Sequence, residues 1–226
     1  MNSIKIKIAD VDVLVTASEK NIQLNDLPTE KFESVWNQVV ADYSGYEVFF
    51  CFNSERMELG QKVPIEQLTK IKAAIIDDML NFKLHSDRFT MVELENGLEV
   101  ELLTETEFAE FATFHDHHNP DMFWTSDRIK KRRNIWQIHT LKKNKQLEGY
   151  VMTMITNKNT EIFAIKADCN ATFKALLTTT CQNAFAIGKK EILYMIEKGA
   201  LTSHQQIAMN LGFKETGFYQ GFQVYL

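Results

Sequence analysis

A chain of 226 residues, 45% of them hydrophobic and only three of them proline, can bury a sizeable core and is long for one small domain, so two folded units are expected rather than disorder. A formal charge of −5 argues against a nucleic-acid binder, whose phosphate contacts need a basic face. Cys51, Cys169 and Cys181 are odd in number and lack metal-ligand spacing, which suits reduced thiols in a cytoplasmic protein. No run of about 18 apolar residues is present to cross a bilayer.

In chain order, the start alternates as a strand and does not read as a signal peptide. Ile4, Ile6 and Ile8, then Val11, Val13 and Val15, place apolar residues at period two on either side of Ala9-Asp10, which predicts a hairpin or a bent strand. From Thr29, the positions Phe32, Val35, Trp36, Val39, Val40 and Tyr43 recur at helical spacing until Ser44-Gly45 ends the run. Residues 46–52 read as a buried strand. Pro64 opens a second predicted helix, with Ile65, Leu68, Ile75, Met79 and Phe82 on one apolar face. Residues 1–90 are therefore read as a smaller α/β module of strand, helix, strand and helix, carrying no recognisable chemistry.

Polar residues around 86–96 mark a boundary, and a strand restarts across Leu98, Val100 and Leu102. Thr104-Glu105-Thr106-Glu107 is a capping box, with Leu103 and Phe108 as its hydrophobic staple, so a helix begins there. His115 falls on the inner face of that helix with Phe108 and Phe111 and is read as a packed residue. With His118 it has the spacing of a metal pair but no third ligand, so no metal is expected. The basic stretch 128–133 is read as a solvated helix face. Two alternating runs, 135–141 and 147–155, flank a lysine-rich turn and predict a hairpin. A strand over 161–166, a long helix over 172–187 stopped by Gly188, and an apolar strand over 192–196 follow. Ser203-His204-Gln205-Gln206 reads as another capping box, opening a short helix ended by Gly212. The last residues, Lys214 to Phe218 and Tyr219 to Leu226, read as two strands joined by a turn.

That ending, Leu211-Gly212-Phe213 followed by a closing pair of aromatic strands, resembles the GCN5-related N-acetyltransferase superfamily, and the order of elements from Leu98 onward is similar to it throughout. The resemblance implies an α/β (α+β) fold with a mixed, mostly antiparallel sheet flanked by helices over 91–226, preceded by the 1–90 module, itself a candidate for a degenerate half of the same fold. It implies transfer of an acyl group, most simply acetyl, from acetyl-coenzyme A (CoA) to a primary amine of a small molecule or peptide, with no metal. A homodimer is compatible with it.

The resemblance also distributes roles. The backbone after Ile165, through Lys166, Cys169, Asn170, Ala171 and Thr172, corresponds to the diphosphate loop, with Cys169 where the family has glycine and Asp168 beside the expected anion. Glu161 is the first candidate for the general base and Glu197 the second. The tyrosine that serves the family as general acid corresponds to Ala208, and an asparagine that holds the pantetheine arm corresponds to about Leu201. His117, Trp124 and Tyr219 are candidate acceptor-lining residues. The departures at Ala208 and Cys169 equally suit a catalytically degenerate binder of acyl-CoA, or an interaction module that keeps the fold alone.

Overall fold

The structure is a computed structural model that describes residues 3–95, 97–120, 122, 124–156, 159–199 and 202–226. It divides into two compact units, Met1–Asn81 with Thr216–Leu226, and Phe82–Glu215. Among the described residues, no helix is long and apolar enough to cross a membrane.

In the first unit, β1 (Ile4–Ile8) and β2 (Val11–Thr16) form an antiparallel hairpin. Ala9 and Asp10 both take positive φ, 47° and 63°, as a tight hairpin turn requires. β3 (Asn21–Asn25) pairs antiparallel with β2, and α1 (Phe32–Asp42) crosses over to β4 (Glu47–Asn53), which lies parallel to β3. The helix buries Phe32, Val35 and Val39, one per turn, against Ile22, Leu24, Val48 and Phe50. α2 (Ile65–Lys70) follows, and then β5 (Ala74–His85).

This corrects the expectation of a helix from Pro64 through Phe82. Lys72 turns the chain at φ 57°, and the β-branched pair Ile75-Ile76 and the period-two burial of Phe82 and Leu84 belong to a strand. The apparent helical spacing of Ile75, Met79 and Phe82 was a coincidence of two periods.

A second correction concerns the chain's last residues, where β11 (Lys214–Tyr225) is one strand without a turn, antiparallel to β4. Its Gly221 marks a close approach: a Cβ there would lie 2.8 Å from Asp77 Oδ2 and 3.1 Å from Asp77 Cβ.

In the second unit, β6 (Glu99–Leu102) leads through the Thr104/Glu107 capping box into α3 (Phe108–His118), and α4 (Ser126–Lys131) follows. The sheet continues with β7 (Trp136–Lys143), β8 (Gln146–Ile155) and β9 (Thr160–Ala167). The long helix α5 (Asn170–Ala186) then crosses to β10 (Glu191–Glu197), before α6 (Thr202–Asn210). Because α6 begins at Thr202, Ser203 lies inside the helix rather than capping it. The sheet runs β10-β9-β8-β7-β6, parallel only between β9 and β10. On one face, Phe108 and Phe111 of α3 and Ile129 of α4 pack on Trp136, Ile138, Tyr150 and Met152. α5 covers the other face, burying Phe173, Leu176, Leu177, Cys181 and Ala184.

The chain runs through one element order twice, β1-β2-β3-α1-β4-α2-β5 and then β7-β8-β9-α5-β10-α6-β11. β5 and β11 are each 12 residues long and bury the same positions nearly throughout. β5 passes into the second unit after Asn81, and β11 passes into the first after Glu215.

Candidate functional site

The parallel ladder of β9 and β10 holds only three pairs, Ile192 with Thr160, Leu193 with Glu161 and Tyr194 with Ile162. Beyond them β9 continues to Ala167 and β10 to Glu197 with no further pairing recorded among the described residues, so the strands part. The parting coincides with a β-bulge. On the β8 side Met152 pairs with Ala164 and Thr153 with Ile162, which leaves Phe163 as the extra residue. A bulge turns backbone groups out of the ladder and re-aims them, and here it leaves Phe163 unpaired beside the widening slot.

At the end of that slot Asp168 N–H donates to Glu148 C=O at 3.1 Å, and the Phe173 amide bonds the Cys169 carbonyl at 3.0 Å to open α5. The N-cap residue Cys169 makes no regular side-chain capping hydrogen bond at this helix end, whose first amides have no intrahelical acceptor. The loop sits tightly on β8 because residue 149 is glycine. A Cβ there would lie 2.6 Å from Lys166 C=O and 2.9 Å from Thr172 Cγ2. Cys169 has φ −151°, ordinary extended backbone, so the cysteine in the family's glycine position carries no strain. Its exposed thiol is pulled below its ordinary pKa, first by the Thr172 hydroxyl 3.4 Å away and then by the Thr172 and Ala171 amides, with burial and Glu148 opposing. The Thr172 hydroxyl and the first amides of α5 thus favour negative charge beside them. An acyl-CoA diphosphate fits this chemistry: uncapped amides, an exposed loop and no acidic residue in the first turn of α5.

Ile165 and Lys166 are half-buried on β9, paired with Val151 and Tyr150. Glu161 lies earlier on the same strand, half-buried, opposite Met154. Glu197 is exposed at the end of β10. Ala208 is fully buried in α6, so the position of the family's tyrosine is an apolar packing site, and Leu201 lies outside the described residues.

The connection from α3 to α4 is pinned at both ends. His115 Nε2 is 2.7 Å from the Trp124 carbonyl and must donate to it. The other ring nitrogen, Nδ1, therefore accepts from Tyr150 OH, also at 2.7 Å. Asn119 Nδ2 donates to both Tyr150 OH (3.0 Å) and the His115 carbonyl (2.8 Å). Asp116 takes the Ser126 amide at 2.9 Å and its hydroxyl at 2.5 Å. Burial lowers the His115 pKa and raises that of Tyr150, so both are neutral.

His117 is exposed, edge-on to His118 at 5.0 Å. Trp124 meets Trp136 edge-on at 5.1 Å. Tyr219 belongs to the first unit, paired with Asn53, its phenol pushed up in pKa by burial and then by Cys51. Glu161, the 165–172 loop, His117 and Trp124 thus share the second unit, and Tyr219 does not. Sequence reasoning missed Trp136 and Phe163. Trp136 was one apolar residue of an alternating run, and the bulge at Phe163 leaves no mark in the pattern.

These features define a protein with the fold of the GCN5-related N-acetyltransferases: a mixed α/β fold with a mostly antiparallel sheet flanked by helices. The fold resembles that of a GCN5-related N-acetyltransferase from Kribbella flavida, at a TM-score of 0.69 and 10% identity over 98% of this chain and 89% of that one. A conserved protein of unknown function from Staphylococcus epidermidis gives 0.68 and 12% over 98% and 94%. A tandem GNAT protein from the clavulanic acid biosynthesis pathway gives 0.59 and 9% over 95% and 78%. No family model and no curated protein sequence matches the chain.

Proposed function

We propose that the chain is a cytoplasmic acyl-CoA-dependent N-acyltransferase acting on a primary amine of a small molecule or peptide, with its site in the second unit. The observation that carries this reading is the parting of β9 from β10 at the Phe163 bulge, directly before the uncapped start of α5. Acetyl-CoA, when bound, supplies an acyl thioester. The α5 amides and those of 169–172 hold the diphosphate, and the re-aimed amides around Phe163 polarise the thioester carbonyl. Glu161 takes the proton that the attacking amine must lose. Ala208 removes a general acid but not the reaction, since a thiol of pKa about 8.5 leaves readily as its anion.

The first unit is proposed as a worn copy of the same fold whose slot is closed. β3 and β4 pair from Asn21–Glu47 to Asn25–Cys51, and the stitching continues as Asp26 N–H donates to Cys51 C=O at 2.7 Å and Asn53 N–H to Asp26 Oδ1 at 2.8 Å. A second reading, a binder of acyl-CoA that transfers nothing, is favoured by the buried Ala208 alone.

Calorimetric titration with acetyl-CoA and thiol release over a panel of amines test the proposal together. Saturable binding with amine-dependent thiol release is expected. Glu161→Gln is expected to keep cofactor affinity within about twofold while lowering turnover about 10²-fold or more. Binding without release selects the second reading, and no binding at millimolar acetyl-CoA overturns both.

A further inference from the structure

Cross-strand register sets a row of side chains on the α3 face of the second unit. Trp136 pairs with Met154, and Met154 with Glu161, so all three project from the same side of β7, β8 and β9. Phe163, two residues beyond Glu161, turns to the same side and meets the Trp136 ring at 5.2 Å and 61°. Trp124 meets it from the α3–α4 connection at 5.1 Å and 78°. Trp136 is 5% exposed and forms the floor, while Trp124, Met154, Phe163 and Glu161 are half-buried around it. The result is an aromatic bowl with a carboxylate on its rim, beside the bulge.

The floor carries an unexplained group. The Trp136 indole Nε1 is buried and has no hydrogen-bond partner among the described residues. Buried tryptophan N–H groups normally find an acceptor, and one left dry is costly unless something meets it during function. Trp124 packs edge-on against the same ring, and His115 fixes its carbonyl.

Building on the transferase reading, we propose that this bowl selects the acceptor: a primary amine borne on an aromatic body that also carries an oxygen. The ammonium sits at Glu161, where a carboxylate and aromatic faces together favour a cation. The aromatic body lies against Phe163 and Trp124, and its oxygen accepts the Trp136 Nε1 hydrogen bond. In the transfer one proton passes from the ammonium to the Glu161 carboxylate, the freed nitrogen lone pair forms the C–N bond, the C–S pair leaves with the thiolate, and the proton that the new amide nitrogen must still shed passes to that thiolate. Trp136 is a specificity-determining residue and has no part in the bond changes.

The test uses 4-hydroxyphenethylamine, phenethylamine and n-butylamine, read both by tryptophan fluorescence without acetyl-CoA and by thiol release with it. Two of the three tryptophans line the bowl, and Trp36→Phe removes the third as background. Both aromatic amines are expected to quench fluorescence and to be acetylated with kcat/KM at least about tenfold above n-butylamine. The hydroxyl is expected to add about a further tenfold that disappears in Trp136→Phe, with acetyl-CoA affinity unchanged. Efficient acetylation of n-butylamine with no preference for aromatic amines overturns the bowl and leaves the transferase reading standing. A hydroxyl preference that survives Trp136→Phe removes the assignment to Nε1. Aromatic amines that bind without thiol release leave the bowl standing and overturn the transfer; neither binding nor release overturns both.

Discussion

Replacing His115 with Phe tests how the loop carrying Trp124 is held. The His115 ring is fully buried and makes two 2.7 Å hydrogen bonds, to Tyr150 OH and to the Trp124 carbonyl. Phenylalanine keeps the stacking on Phe111, now at 5.4 Å, but strips the Trp124 carbonyl of its donor and leaves the Tyr150 proton without an acceptor. At a net ~1 kcal/mol per bond, rising where a buried partner is left unmatched, the loss is about 2–4 kcal/mol. For a chain of this size that corresponds to a fall in Tm of about 4–16 °C. The same ring has a pH signature. Burial is the main cause lowering its pKa below 6.5. The unfolded chain therefore binds the proton more readily, and the contribution of His115 is complete above about pH 6.5 and is lost as pH falls below it. Each such histidine adds at most about 1.4 kcal/mol per pH unit to that fall. Burial also depresses His139 and His204, so the wild-type slope is shared, and His115→Phe is expected to flatten it without abolishing it. Melting curves between pH 7.5 and 5 read both effects. A variant that loses under 1 kcal/mol and keeps the wild-type slope would show that the two hydrogen bonds hold nothing.

Gly149→Val places a branched side chain 2.6 Å from the Lys166 carbonyl and is expected to cost about 1–3 kcal/mol or more in urea unfolding, and to weaken acetyl-CoA binding by displacing the 166–172 loop. Unchanged unfolding and affinity would count against that packing. Glu107→Ala removes the capping box of α3 at a cost of about 0.5–2 kcal/mol by the same measurement. The Thr104 hydroxyl, the Thr104 amide and Lys142 hold the Glu107 carboxyl at about 2, so its share of stability is full above about pH 4.5 and is lost as pH falls through 2. The variant is expected to be less acid-sensitive there. Calorimetry is expected to return one acetyl-CoA per chain, and a value near two would contradict a closed first unit.

Much of the second unit was legible because its signals are local. The Thr104/Glu107 box forms as its spacing says, and the hairpin across Asn144-Lys145 turns where the lysines interrupt alternation, both residues at positive φ. The errors fall where one residue type answers two demands. The closing stretch looked like two strands but is one, in which Gly221 makes room for Asp77, and Ile75, Met79 and Phe82 satisfy a helical spacing while their neighbours satisfy a strand. The proposed site rests in part on local signals as well. The stretch from Glu161 to Thr172 lies on one strand and the helix that follows it, and local order suffices to find it. The parting of β9 and β10, the bulge at Phe163 and the Trp136 floor depend on register between strands distant in sequence, and a single sequence carries no term for register.

The two units show what that register decides. Each brings a strand, a crossover helix and a parallel strand together in the same order, so the topology needed for a helix-end anion site exists twice. In the first unit the loop after β3 puts Asp26 back into the ladder, buries Leu27 and sets Pro28, which has no amide to offer, before α1. In the second, the corresponding loop after β9 lies on Gly149, leaves 168–170 exposed and delivers α5 uncapped. A closed ladder satisfies its own amides and has nothing left to bind with. An opened one leaves hydrogen-bond donors that only water or a ligand can meet, and a transferase of this fold needs that deficit. On the proposed assignment, the difference between scaffold and site therefore lies in how far two parallel strands stay paired.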